Sequence, residues 1–242
     1  PDIVSMENVS DLAIKDKYPV FKSFLKTLEN NGYNYKYEIV DVSEFGVPQK
    51  RRRLVLLASK FGEIQLIKRT HKDKKTTVRN VISYLEPIKA GETSKKDLLH
   101  RSRKLALINL QRIKATPHNG GNSASWPEVL ILKCHKKDSG KTYGGSVYGR
   151  MHWDKPSPTM TTQCIGLGNG RYGHPTQNRA ISLREAAIFQ TFPEYYKFSD
   201  PTKPILIGKV AKFIGNAVPV RLGSVIGKSI KKHIEQYETS KI

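Results

Sequence analysis

A glutamate and two arginines are the residues of this sequence best placed to do chemistry together. The run Pro1-Asp2-Ile3-Val4-Ser5-Met6-Glu7-Asn8-Val9 is short and apolar and stops at a polar pair, before Ser10 and Asp11. That pattern suits a buried strand whose end presents side chains to a site. A carboxyl held in a dry pocket has a raised pKa and can keep a proton to donate; the bland alternative is a strand-end glutamate bonded to nearby backbone. Arg51 and Arg53, within Gln49-Lys50-Arg51-Arg52-Arg53, are two apart and so share one side of an extended segment. A basic run of this kind is usually a solvated face. Here it leads directly into an apolar run ending at Ser59, which pins the arginines at a sheet edge.

The elements that must position these groups can be read from periodicity. Val20, Phe21, Phe24, Leu25 and Leu28 recur at helical spacing, and Asn30-Asn31-Gly32 supplies a stop. Tyr35 to Val42 alternates and is rich in aromatic and β-branched residues, and Arg53 to Ser59 is a second apolar run, so two more strands are expected. From about Gly62 to Pro175 the periodicity weakens and Gly, Pro, Asn, Ser and Lys accumulate, which reads as a loop-rich β region. Ser182 with Glu185 three residues on forms a capping box opening a helix. Leu222, Val225, Ile226 and Ile230, with lysines opposite, predict a closing amphipathic helix over Arg221 to Tyr237.

Charge narrows the partner. In 242 residues, 42 Lys and Arg stand against 21 Asp and Glu, a net +21. Such an excess favours a polyanion, nucleic acid first because each neutralised phosphate releases a counterion, and an anionic membrane surface second. No apolar run is long enough to span a bilayer, and Pro1 to Val9 lacks the layout of a signal peptide. A soluble, intracellular protein is expected, with no membrane partner. Cys134 and Cys164 have no cysteine at two-residue spacing, so reduced thiols and no metal site are expected.

Four segments, in this order and spacing, resemble the later sequence blocks of bacterial DNA cytosine-5 methyltransferases. They are Glu7-Asn8-Val9, Gln49-Lys50-Arg51-Arg52-Arg53, the pair Arg179-Ala180-Ile181-Ser182-Leu183-Arg184-Glu185-Ala186-Ala187 and Gln190-Thr191-Phe192-Pro193, and Gly215-Asn216-Ala217-Val218-Pro219. Tyr148-Gly149-Arg150, Pro156-Ser157-Pro158-Thr159, Asn169-Gly170-Arg171 and Gly173-His174-Pro175 extend the likeness over nearly the whole chain. The resemblance implies an α/β fold: the C-terminal part of an S-adenosylmethionine-dependent, Rossmann-like methyltransferase domain with a smaller, loop-rich, mainly β target-recognition domain. The corresponding divisions are 1–61, partial catalytic domain; 62–178, target-recognition region; and 179–242, motif-bearing helices, the last returning to the catalytic domain.

The family's reaction swings a cytosine out of double-stranded DNA, adds a cysteine thiolate to C6, and methylates C5 from S-adenosylmethionine. By the match, Glu7 is the acid bonded to N3, and Arg51 and Arg53 hold the flipped nucleotide near O2 and its phosphates. Asn216, Ala217 and Val218 become cofactor neighbours. Asn8, Gln49, Arg52, Thr161 and Thr162 become DNA contacts, Gln49 also ordering its turn. The helix at Arg184-Glu185 is expected to organise the recognition region rather than to take part in catalysis.

The family's nucleophile lies in a Pro-Cys dipeptide upstream of Glu-Asn-Val, and no Pro-Cys occurs here; the glycine-rich turn Phe-x-Gly-x-Gly is also missing. Cys164, far downstream, is not expected to substitute. A parallel sheet without its first strands would leave the Ile3-Val4 strand with an unpaired edge. The expectation is a restriction-modification component, inactive alone, completed by an N-terminal subunit or segment carrying the Pro-Cys loop and the cofactor-binding strands. The alternative is a non-catalytic DNA-binding or specificity subunit, or an inactive remnant. A tRNA-modifying relative is a third reading, disfavoured by the length of the recognition region.

Overall fold

The structure is a computed structural model, and the residues described are 1–14, 18–135, 147–200 and 202–241. They form three strands, β1 (Ile3–Val9), β2 (Asn34–Asp41) and β3 (Arg52–Ser59). The α-helices are α1 (Pro19–Asn30), α2 (Val78–Ile82), α3 (Leu107–Ala115), α4 (Leu183–Phe189), α5 (Ile207–Asn216) and α6 (Val220–Thr239). The chain divides into two compact units, Pro1–Lys75 with Val218–Ile242, and Thr76–Ala217.

The first unit is built on one sheet of order β1-β3-β2. Both neighbours run antiparallel to β3, with Glu7 opposite Val55 and Val40 opposite Arg53. The expectation of a parallel sheet is therefore corrected at β3: β1 and β2 run parallel to each other, joined through α1, and β3 lies between them in the opposite sense. Leu54, Leu56 and Ala58 project to one face and pack with Phe21 and Leu28 of α1, the two-residue period of a strand meeting the helical period. Val55 projects to the other face with Val40, Val42, Phe45 and Val47, where Leu222 and Val225 of α6 cover it. Covered on both faces, β3 is a near-continuous apolar run. Helix α1 stops where the sequence indicates: Gly32 takes φ +76°, its amide donates to Glu29 O, and the Tyr33 amide donates to Leu28 O, a closure that needs the left-handed conformation glycine adopts freely.

Residues 62–75 run back along this unit rather than joining the loop-rich stretch. Leu66 and Ile67 pack against the α6 cluster, the Ile67 amide donates to Ser229 Oγ at 3.0 Å, and the His71 amide donates to Glu44 O at 2.8 Å. The compact units accordingly divide the chain at 75/76 and 217/218, whereas the sequence drew its lines at 61/62 and 178/179.

The second unit is loop-rich but not β. Among its described residues no strand forms, only isolated bridges such as Arg150 with Gly173 and Gly173 with Ala180, so the expectation of a mainly β region is corrected. Buried arginines do the work of a ladder. Arg150 Nε donates to Thr116 O, Nη1 to His174 O and Gln177 O, and Nη2 to Ile113 O and Asn178 Oδ1. All five guanidinium donors are thus used, tying the 113–116 and 174–178 segments to Arg150 without strand pairing. Burial lowers the Arg150 pKa to about 10. The core joins α2, α4 and α5 through Val78, Ile82, Leu183, Ala187, Val210 and Ile214, which is why residues 179–217 belong here.

Helix α4 starts with the expected capping box, Ser182 and Glu185 bonding each other's backbone amides. The Glu185 carboxylate also takes two hydrogen bonds from Arg179, each 2.7 Å, in full burial. Although burial alone would raise it, Arg179 and the Ser182 amide bring the Glu185 pKa down to about 2 from the ordinary 4.5. Burial drives His174 from 6.5 to about 3. In both cases the folded form binds fewer protons than the unfolded one, so stability rises with pH across each interval. The contribution of His174 is complete above 6.5 and declines as pH falls towards 3; that of Glu185 is complete above 4.5 and is lost as pH falls through 2. The denaturant midpoint should therefore decline steadily as pH is lowered from 6.5 to 3; a midpoint constant over that interval would contradict the assignment.

Candidate active site

The pleat of β1 and β3 sets the geometry. Because Glu7 faces Val55 and Arg53 is two residues before Val55, both side chains stand on one face at the end of the sheet. Arg53 Nε lies 3.0 Å from Glu7 Oε1, with each side chain about one-sixth exposed. Oε1 is thus buried with Arg53 as its ionic partner but without a hydrogen bond of good geometry. Burial raises the Glu7 pKa, opposed first by Arg53 and then by Arg51. Burial also lowers the Arg53 pKa, opposed by Glu7. Desolvation leads on both partners, so this pair is an electrostatically costly arrangement rather than a stability device.

The turn before β3 is held from several sides. Gly46 takes φ +83°, the Val42 amide donates to Arg51 O at 2.9 Å, and the Gln49 amide donates to Val47 O at 2.7 Å. Arg221 Nε, from the first turn of α6, donates to Phe45 O at 2.6 Å. A Cβ at Gly46 would sit 2.8 Å from both the Arg221 guanidinium carbon and His71 Cε1. Gln49 and Arg51 are buried in this turn, while Arg52 and Asn8 are exposed. The sheet end thus brings together Glu7, Arg51 and Arg53 as inward-facing groups, with Asn8 and Arg52 beside them in solvent.

The other sequence-derived candidates gather in the second unit. A Cβ on Gly215 would lie 2.2 Å from Thr161 C and O and 2.4 Å from Thr162 N, so α5 rests directly on the Thr161–Thr162 backbone. Tyr172 Oη donates to Thr159 O at 2.7 Å just before that turn. Asn216 and Ala217 line a cavity of about 460 Å³ with Phe192, Tyr196, Phe198 and Phe213. Aromatic faces of this kind can take a flat heterocycle, and Lys197, which also lines the cavity, together with the Asn216 amide can bind a carboxylate. The donor set fits part of an S-adenosylmethionine molecule. Val218 follows at the start of the other unit's second segment and is 38% exposed.

Three residues were given no role by sequence reasoning. Arg150 and Gln190 lie inside matched segments, but nothing in their spacing announces that one binds backbone carbonyls and the other the end of α5. Arg221 reads as one more lysine-like charge on an amphipathic helix. Cys164, by contrast, is fully buried, and burial pushes its thiol up to about 12, which leaves it protonated and inert as a nucleophile.

Comparison with known proteins agrees with this arrangement. The C-5 cytosine-specific DNA methylase family matches residues 1–232. The Type II methylase M.HgiDII of Herpetosiphon aurantiacus is 50% identical over 236 residues, 97% of this chain and 66% of that protein. The Type II methyltransferase M1.BsuMI of Bacillus subtilis is 32% identical over 230 residues, 93% of this chain and 50% of that protein. The chain therefore spans between half and two thirds of the length of these relatives. A crystal structure of a protein encoded within an E. coli prophage shares the fold, with TM-score 0.67 at 18% identity, covering 97% of this chain and 70% of that one. With the match running over 232 residues and through every segment that builds the sheet-end site, the chain belongs to the C-5 cytosine-specific DNA methylase family.

Proposed function

We propose that this chain is part of a DNA (cytosine-5-)-methyltransferase, and that the β1–β3 sheet end holds and activates a flipped cytosine. The observation that carries the reading is Glu7 Oε1, buried beside Arg53 at the sheet end without a hydrogen bond of good geometry. A buried acceptor of this kind is stabilised by a ligand that brings a donor or a shared proton. The exocyclic amino group of cytosine can bring that donor, while a protonated Glu7 donates to N3, and the raised pKa favours that form. Arg53 and Arg51 lie close enough to Glu7 to oppose that shift, and as fixed cations they suit O2 of the ring and the flanking phosphate. As electron density builds on the ring, the Glu7 proton at N3 stabilises it.

When bound, S-adenosylmethionine supplies the methyl group; Asn216, Ala217 and Val218 would be among the residues holding it. Thr161 and Thr162, with Asn8, Gln49 and Arg52, contact DNA in this reading, and the Thr76–Ala217 unit reads the sequence, phosphate contacts fixing register and base-edge contacts specifying. The names of the relatives, Type II methylase and Type II methyltransferase, support a place in a restriction-modification system. The attacking sulfur is supplied by polypeptide outside these 242 residues, joined to Pro1 or carried on a second chain, since no Pro-Cys occurs within them.

The test is transfer of a tritiated methyl group from S-adenosylmethionine to unmodified duplex DNA, with and without a polypeptide carrying the Pro-Cys loop. Turnover should require that polypeptide. In the active assembly Glu7→Ala should lower the rate by about a hundred- to ten-thousand-fold, the range for a lost general acid. Arg51→Ala should cost on the order of 1.5 to 3 kcal/mol, a lost charged hydrogen bond. Undiminished methylation by either variant would overturn the site assignment. The missing Pro-Cys also favours a second reading, a non-catalytic DNA-binding module, which predicts duplex binding without methyl transfer in any reconstitution.

A further inference from the structure

Gln190 stands out as a fully buried side chain that the proposed reaction does not use. It follows α4, and its Nε2 donates to Ile214 O at 2.6 Å and Ala217 O at 3.1 Å. These two carbonyls bracket Gly215-Asn216. Ile214 O, in the last turn of the helix, also accepts the Ala217 amide at 3.3 Å, and Ala217 O lies beyond that end, where the chain has turned extended at φ −65°, ψ 144°. The two amide hydrogens of one side chain therefore fix both the last turn of α5 and the residue after it. The opposite side of the same turn is fixed by Gly215 against the Thr161–Thr162 backbone.

We propose that Gln190 is a positioning residue for the cofactor turn, holding Asn216 and Ala217 in the geometry that receives S-adenosylmethionine. The inference rests on the cofactor role given to that turn above. A methionine at 190 keeps the length and apolar stem but loses both donors, and a glutamate, whose buried carboxyl keeps at most one proton, loses at least one of them. In neither case does the substituted side chain touch substrate or cofactor, so the effect should travel only through the turn.

The experiment uses the intact methyltransferase, including the polypeptide that carries the Pro-Cys loop, with unmodified bacteriophage λ DNA as methyl acceptor. Gln190→Met should raise KM for S-adenosylmethionine at least fivefold, with kcat and KM for DNA within twofold, at a temperature where the variant is fully folded. Gln190→Glu, which keeps at most one donor, should also raise it. Hydrogen exchange of a peptide covering 211–220 should quicken in both variants, while peptides from α2 do not change. A KM for S-adenosylmethionine within twofold of the parent, with that peptide loosened, would overturn the proposal, as would a rise matched by KM for DNA. If neither variant folds well enough for kinetics, exchange of the 211–220 peptide in the native fraction decides: unchanged exchange overturns the proposal. Failure of the parent enzyme to use S-adenosylmethionine would instead overturn the functional reading.

Discussion

Replacing Gly215 by alanine should destabilise the Thr76–Ala217 unit by roughly 3 kcal/mol or more, at the upper end of the cost of overpacking a core. The added Cβ would lie 2.2 Å from Thr161 C and O and 2.4 Å from Thr162 N, and these are backbone atoms of a turn, which cannot swing aside as a side chain would. The same helix carries its own control. Gly208 has nothing within 4 Å of an added Cβ, and an alanine within a helix loses less backbone entropy than glycine. Gly208→Ala should therefore stabilise by about 0.5 to 1 kcal/mol. One substitution type in one ten-residue helix is thus expected to act with opposite signs. Thermal unfolding of both variants provides the check, and a Gly215→Ala protein as stable as its parent would show that α5 does not press on the Thr161–Thr162 turn.

Arg150→Met should have the second large effect, on the order of 3 to 5 kcal/mol, comparable with breaking a buried charged network by removing one partner. Five acceptors lose their donor at once, and each buried carbonyl left without one costs about 1 to 3 kcal/mol before relaxation. For a protein of this size the midpoint should fall by roughly 10 °C. Arg150→Lys keeps the charge but has three donors instead of five and no planar fork, so it should recover only part of the loss. If lysine restored stability in full, charge rather than hydrogen-bond geometry would be what the site requires.

The parts of this structure that sequence made legible are those governed by local rules. Helix α4 begins at its Ser182–Glu185 capping box, α1 closes at Asn31-Gly32, and β3 is the apolar run after Arg51, because caps, turns and periodicity act within a few residues. The Glu7–Arg53 proximity followed from the matched motifs together with the alternation of strands. What stayed hidden depends on pairing between distant segments. Nothing in Ile3 to Val9 specifies that its neighbour is β3 or that the pair is antiparallel. The described loops between residues 83 and 178 resemble a β region in composition, because glycine and proline are as common around strands as around arginine-bound loops. Arg150 was visible as a member of a matched tripeptide, but its five acceptors come from residues 113, 116, 174, 177 and 178, a convergence no local pattern encodes. Gln190 is the same case: its partners are 24 and 27 residues away.

The position of α6 bears on the order in which the molecule can be made. One face of β3 and the turn before it are covered by residues made much later in the chain, as in the pairs Ser59 with His233 and Phe45 with Arg221, separated by 174 and 176 residues. The contiguous Thr76–Ala217 unit is complete before those partners exist and can gain its structure first. Until α6 arrives, Val55, Val42 and Phe45 stay without their cover, which makes the nascent first unit a client for chaperones during the interval. Prior folding of the intervening segment then shortens the effective loop that must close, so a defect in the second unit would delay completion of the first without touching any residue in it.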